Sequence, residues 1–172
     1  MNFLTIFLRL LHIISGVFWV GGALMLTFFI SPTVAATKDA GQGFMRYFMG
    51  NTKFNLAMWT AVIITVLAGF SLYWIDSQGF TSAWIHSGPG IGFGTAAGFA
   101  LLGLITGVIQ NRNFNAMAQL GGQIQSQGKP PSPEQSAQLQ KLGRALAIGG
   151  KLNAIFLILA TMGMAISRYL RF

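Results

Sequence analysis

The chain has 172 residues, is 53% hydrophobic and only 8% charged, carries a formal net charge of +8 and contains no cysteine. So little charge excludes an ordinary soluble domain and points to a polytopic membrane protein that folds through helix–helix contacts in lipid. The missing cysteines exclude disulfides, thiolate metal sites, iron–sulfur clusters and cysteine catalysis.

The first apolar run covers about residues 3–31. That is enough to cross a bilayer core of ~30 Å as one helix. It is too long for the ~7–15-residue apolar region of a signal peptide, so cleavage near Val34-Ala35-Ala36 is not expected. Pro32 should end the helix or kink its last turn. On a helical wheel Thr5, Arg9, His12, Gly16, Trp19, Ala23 and Thr27 share one face, and the other side is Leu, Ile, Phe and Val. The polar face should therefore look toward other helices, with His12 as its most chemically capable member. Ionisable groups inside a membrane are costly and read as functional candidates. The alternative is that His12 only hydrogen-bonds a hydroxyl or carbonyl on a neighbour, and that Arg9 reaches back to the headgroups.

In the loop 33–53, Phe44, Met45, Tyr47, Phe48 and Met49 around Arg46 predict a short amphipathic helix lying at the interface. The second apolar run, about 54–75, is uncharged and closes on Tyr73-Trp74, an aromatic-belt position. A short loop with Trp84 and His86 follows.

The third run, about 89–110, is rich in glycine. Gly90, Gly94 and Gly98 mark one face, and Gly92, Ala96, Gly103 and Gly107 another. Small residues at this spacing let backbones approach closely in lipid, so leucine at Gly94 or Gly98 should force helices apart. Residues 111–143 read as a polar loop broken by Lys129-Pro-Pro-Ser-Pro-Glu134. Ser132-Pro133-Glu134-Gln135 looks like a helix start that runs into the fourth apolar segment, about 145–169. The expected fold is all-α: a single domain over residues 1–172, a transmembrane four-helix up-down bundle.

The first and third loops and their flanks hold Lys38, Arg46, Lys53, Arg112, Lys129, Lys141, Arg144 and Lys151, against Arg9, Arg168 and Arg171 on the other side. The excess of positive charge places the two basic loops in the cytoplasm and both termini outside, in a multi-pass protein of the cell's inner (plasma) membrane. Anionic headgroups account for the basic residues better than nucleic acid, for which there is no motif.

With this topology His12, His86, Met162, Met164 and Arg168 fall in the same half of the membrane. Histidine and methionine ligate haem iron or copper where cysteine is absent. Met162 and Met164 have packing as their plainer role, and His86 that of a wet loop residue. Arg9 and Arg168 can pair with carboxylates such as haem propionates. Gly16, one turn deeper than His12, would leave room beside a macrocycle, with Trp19 at its inner edge. No acid and base pair within the membrane, and Ser15, Ser71 and Ser167 have no His–Asp partners. Hydrolysis, and catalysis by this chain alone, are not indicated.

The stretch Leu10-Leu-His12-Ile-Ile-Ser-Gly-Val-Phe-Trp19-Val-Gly-Gly22 resembles the first helix of small bacterial membrane proteins related to copper-resistance protein D. More distantly it resembles that of HemJ-type protoporphyrinogen oxidases. Arg144 through Leu152-Asn153 to Ser167-Arg168-Tyr169-Leu170 is similar to the last helix of uncharacterised proteins in the same group. The resemblance implies haem b or copper ligation by His12. Lys151 is the one intramembrane lysine, and its surroundings depart from the lysine pattern of the oxidases. Three roles follow as expectations: a haem or copper protein in membrane redox or metal handling, a copper transporter, or a non-catalytic subunit of a larger membrane complex. The partners expected are the lipid bilayer and other membrane subunits or further copies of the chain.

Overall fold

The computed structural model describes residues 2–171, which are almost wholly helical. Asn2 caps the first helix by accepting the Leu4 amide, and α1 runs Phe3–Met25. A π-helical turn, Leu26–Ile30, joins it to α2, Ser31–Ala36. α3 is Lys38–Asn51, α4 Phe54–Asp76, α5 Gly88–Gln127 and α6 Pro133–Ile166. Short 3-10 turns occupy Ala83–His86 and Ser167–Tyr169. Four stretches are long and apolar enough to cross a membrane: Phe3–Ala36, Phe54–Asp76, Gly88–Gln127 and Pro133–Tyr169. The chain is an all-α, multi-pass membrane protein.

Pro32 does not end the first helix. Its missing N–H and its ring would disturb an α-turn onto Phe28. The π turn absorbs this: the Ser31 amide bonds to the Leu26 carbonyl, five residues back, and the helix continues to Ala36. At Thr37–Lys38 the chain reverses, with Lys38 at φ 48°. α3, the short helix expected around Arg46, then folds back beside the helix it left. Gly41 permits this, because a Cβ there would sit 2.5 Å from the Val34 carbonyl oxygen. Phe44 shares a groove with Phe29 and Ile30. The Phe48 ring then lies tilted against that of Phe54, which leads into α4, with ring centroids 4.6 Å apart.

Of the expected polar loop over 111–143, residues 111–127 are helix, and the helix expected from about 133 is present. α5 continues to Gln127 and stops at Gly128, a left-handed C-cap. α6 starts at Pro133 behind a complete capping box, with the Ser132 hydroxyl on the Gln135 amide and the Gln135 side chain on the Ser132 amide. Only residues 128–132 are non-helical. Two helical hairpins therefore extend the bundle beyond its apolar length, α2–α3 and the far ends of α5 and α6. The Arg46 guanidinium donates to Gln125 Oε1 at 2.7 Å and ties one to the other.

The helices pack as two close pairs, α1 with α4 and α5 with α6. In the second pair the face Gly92, Ala96, Gly103 and Gly107 meets Ser167, Gly163, Leu157 and Asn153. On the other glycine face, Gly90 is buried against the Trp84–Ile85 turn, but the rest meets no helix closely. Gly98 has nothing within 4 Å of a built Cβ, and Gly94 meets only the Tyr73 ring, its hydroxyl 3.4 Å away. The expectation of crowding at Gly94 and Gly98 is thus corrected to Gly103. Trp19, Ala61, Val62 and Leu157 form the core that joins the pairs.

Candidate functional site

His12 lies on the α1–α4 seam. Its Nδ1 is 2.8 Å from the Thr65 carbonyl oxygen on α4. A carbonyl only accepts, so Nδ1 carries the proton and the neutral ring keeps its lone pair on Nε2. No hydrogen bond to Nε2 is present among the described residues. The ring rests on Gly69, one turn from Thr65, where a Cβ would sit 2.7 Å from Cε1 and 2.9 Å from Nδ1. α4 thus supplies both the acceptor that orients the imidazole and the space that admits it.

Beside it, the Thr65 hydroxyl lies 2.8 Å from Ser15 Oγ and 2.7 Å from the Ala61 carbonyl oxygen, and Ser15 Oγ lies 2.5 Å from the Leu11 carbonyl oxygen. Two hydroxyl protons serve three contacts, so one contact lacks a proton at any moment. Ser15 and Thr65 are buried. Gly16 does not open space for a ligand, because the Thr65 methyl fills it at 3.6 Å. Trp19, 6% exposed, is a core residue.

The other expected residues scatter. His86 is exposed in the 3-10 turn before α5. Met162 is 58% exposed on the side of α6 that faces away from the bundle. Met164 is half-buried. Thr27 bonds the Gly150 carbonyl, and Trp19 and Leu157 share the core. Counting from these contacts along antiparallel helices sets Met164 level with His12, and Arg168 level with Arg9. Among the described residues there is no group of three or more His, Cys, Asp or Glu that could hold a metal ion. His12 is therefore a lone nitrogen donor with Met164 at its level, and His86 and Met162 do not join it.

An apolar groove of about 480 Å³, lined by Leu4, Leu8, Phe70, Ser71, Trp74 and Ile75, lies on the α1–α4 seam beyond His12, which does not line it. Leu8 is one turn from His12 on the same helix face, and Arg9 is its neighbour. The donor set and this groove fit a flat apolar group bound through one histidine, with acidic substituents toward Arg9.

Sequence reasoning missed Thr65 and Gly69. Their signal was present in the small-residue stripe Ala61, Val62, Thr65, Ala68 and Gly69 on an otherwise bulky helix. It also missed a second polar layer deeper in the bundle. Asn153 Nδ2 donates to the Gly103 carbonyl at 2.6 Å and to Thr106 Oγ1 at 2.9 Å, and Gln110 Nε2 donates to the Leu146 carbonyl at 2.9 Å. These bonds lock α5 to α6.

Comparison with protein-family models, with characterised proteins and with solved structures finds no match for this chain.

Proposed function

We propose that this is an inner-membrane protein of redox or metal handling that binds haem b through Nε2 of His12. Both termini lie outside the cytoplasm and the two helical hairpins inside it. The observation that carries this reading is the 2.8 Å bond from His12 Nδ1 to the Thr65 carbonyl. Metal-ligating histidines commonly donate their second ring N–H to such an acceptor, which fixes the tautomer and raises the basicity of the ligating nitrogen. Arg9 would pair with a propionate, and the groove lined by Leu8, Phe70 and Trp74 would take the ring's apolar edge. Haem bound there would supply one-electron transfer. Met164, half-buried and level with His12, would be the residue of this chain to test as a second ligand. The resemblance of the Leu10–Gly22 stretch to copper-resistance protein D relatives supports the same residue with copper in place of haem, in storage or in transport.

Purified protein expressed with ample haem gives the test. A Soret band that His12→Ala and His12→Phe both abolish, with helicity retained in detergent, supports haem. Stoichiometric copper that depends on His12 supports the copper reading. A folded wild type that takes up neither under these conditions leaves His12 a structural hydrogen-bond donor.

A second reading is a non-catalytic subunit of a larger membrane complex. The open backbone at Gly98, on the side of α5 away from α6, favours it, since a helix from another chain can approach closely there. Cross-linking from Gly98→Cys to other membrane proteins would support it.

A further inference from the structure

We infer that the face of α6 turned away from α5 is a binding site for an anionic phospholipid. Lys141, Arg144, Ile148, Lys151 and Ile155 follow one another at three- and four-residue spacing. All five are exposed, Ile148 at 62% and Ile155 at 50%. The same face continues through Leu159, Met162 and Ile166, also exposed. The opposite side of the helix, Gly150, Asn153, Leu157, Ala160, Gly163 and Ser167, is the one packed in the bundle. One helix thus carries a cationic strip directly continuous with an apolar strip.

The lengths match a lipid. From Lys151 to Arg168 the helix rises ~26 Å, close to the ~30 Å hydrocarbon core. Lys151 therefore sits at headgroup level. Arg144 lies ~10 Å farther along, within reach of the same phosphate through its long side chain. Acyl carbon lies along Ile155, Leu159 and Met162.

Among the described residues the charge has no other partner. There are three carboxylate side chains in all, Asp39, Asp76 and Glu134. Glu134 is on α6, two turns beyond Lys141, and its oxygen is taken by the Ser132 hydroxyl. Among the described residues Lys141, Arg144 and Lys151 form no ion pair. A phosphodiester supplies the missing anion, and the adjoining apolar strip selects a lipid over a soluble phosphate or an acidic protein. Basic residues next to a membrane span attract anionic lipid strongly enough to be measured singly.

The full-length protein in phosphatidylcholine discs, titrated with spin-labelled phosphatidylglycerol, tests this. Wild type should prefer phosphatidylglycerol to labelled phosphatidylcholine. The double variant Arg144→Gln/Lys151→Gln should lose about fivefold in affinity per charge removed. Arg144→Lys/Lys151→Arg should keep the preference, which excludes misfolding as the cause. Lys53→Gln/Arg112→Gln removes as much charge from the α3–α4 link and from α5 and should change little. Equal loss in that control, no lipid preference in wild type, or an unchanged preference in the double glutamine variant would each overturn the assignment. The second of these would leave an acidic protein as the remaining partner for the face.

Discussion

The imidazole of His12 lies on the backbone of Gly69, with 2.7 Å between Cε1 and the place a β-carbon would occupy. The contact makes a position on α4 decide the pose of a side chain on α1. Gly69→Ala should push the ring off its seat and lengthen the bond to Thr65, and Gly69→Leu should separate the helices. Overpacking of this kind costs about 1–3 kcal/mol. Unfolding in mixed detergent micelles checks stability. The imidazole nitrogen NMR signals check the tautomer, which should stay Nδ1–H in wild type and become mixed in Gly69→Ala.

Leucine at Gly103 should disrupt the α5–α6 pair, because a Cβ there would already sit 2.7 Å from Leu157 Cδ2. Leucine at Gly98 meets open space and should leave the monomer intact. Heat resistance of the two variants in detergent distinguishes them, and equal resistance would contradict the packing described.

Asn153→Leu removes both hydrogen bonds that its amide makes to Gly103 and Thr106. Interhelical hydrogen bonds in membranes are worth roughly 0.6–2 kcal/mol each. A loss of about 1–3 kcal/mol in detergent unfolding is expected, with a smaller loss for Thr106→Val, which leaves the carbonyl bond in place.

The hairpin tip should respond to acid. The Ser132 hydroxyl donates to Glu134 and holds its carboxyl below the usual glutamate range. A lowered folded-state pKa adds stability above the unfolded value and loses it as pH falls through the folded one. Local opening near residues 128–136, followed by hydrogen exchange, should therefore increase below the ordinary glutamate pKa of about 4.3. Ser132→Ala should flatten that dependence and cost about 1 kcal/mol through the lost helix cap. A pH dependence identical to wild type would show that the cap and the carboxylate act independently.

The four spans were legible because length and hydropathy suffice to recognise them. The inward face of α1 was legible because polar residues stand out on an apolar helix. Beyond the apolar runs, the helix start at Ser132–Gln135 and the short helix around Arg46 were legible from capping and aromatic spacing, but the continuation of α5 was not. Asn- and Gln-rich residues 111–127 look like a loop when hydropathy is the guide, although glutamine is an adequate helix former. Pro32 read as a stop or a kink because the remedy, one wider turn before it, leaves no mark in composition. The two glycine faces of α5 have similar spacing, and periodicity alone could not say which meets α6. His12 showed itself as ionisable, whereas Thr65 acts through its backbone carbonyl, which every residue possesses.

The π turn at Leu26–Ile30 carries one residue more than an α-helical path of the same rise. That extra residue acts as a phase shift of roughly 100° between α1 and everything that follows it. Deleting any one of the five would restore a uniform helix and rotate α2 and α3 together about the axis of α1, with Val34 still against Gly41. Phe48 would then leave Phe54, and Arg46 would move out of reach of Gln125. The span itself would survive, one residue shorter, so a length change too small to alter the crossing would reset the orientation of everything built on its far end.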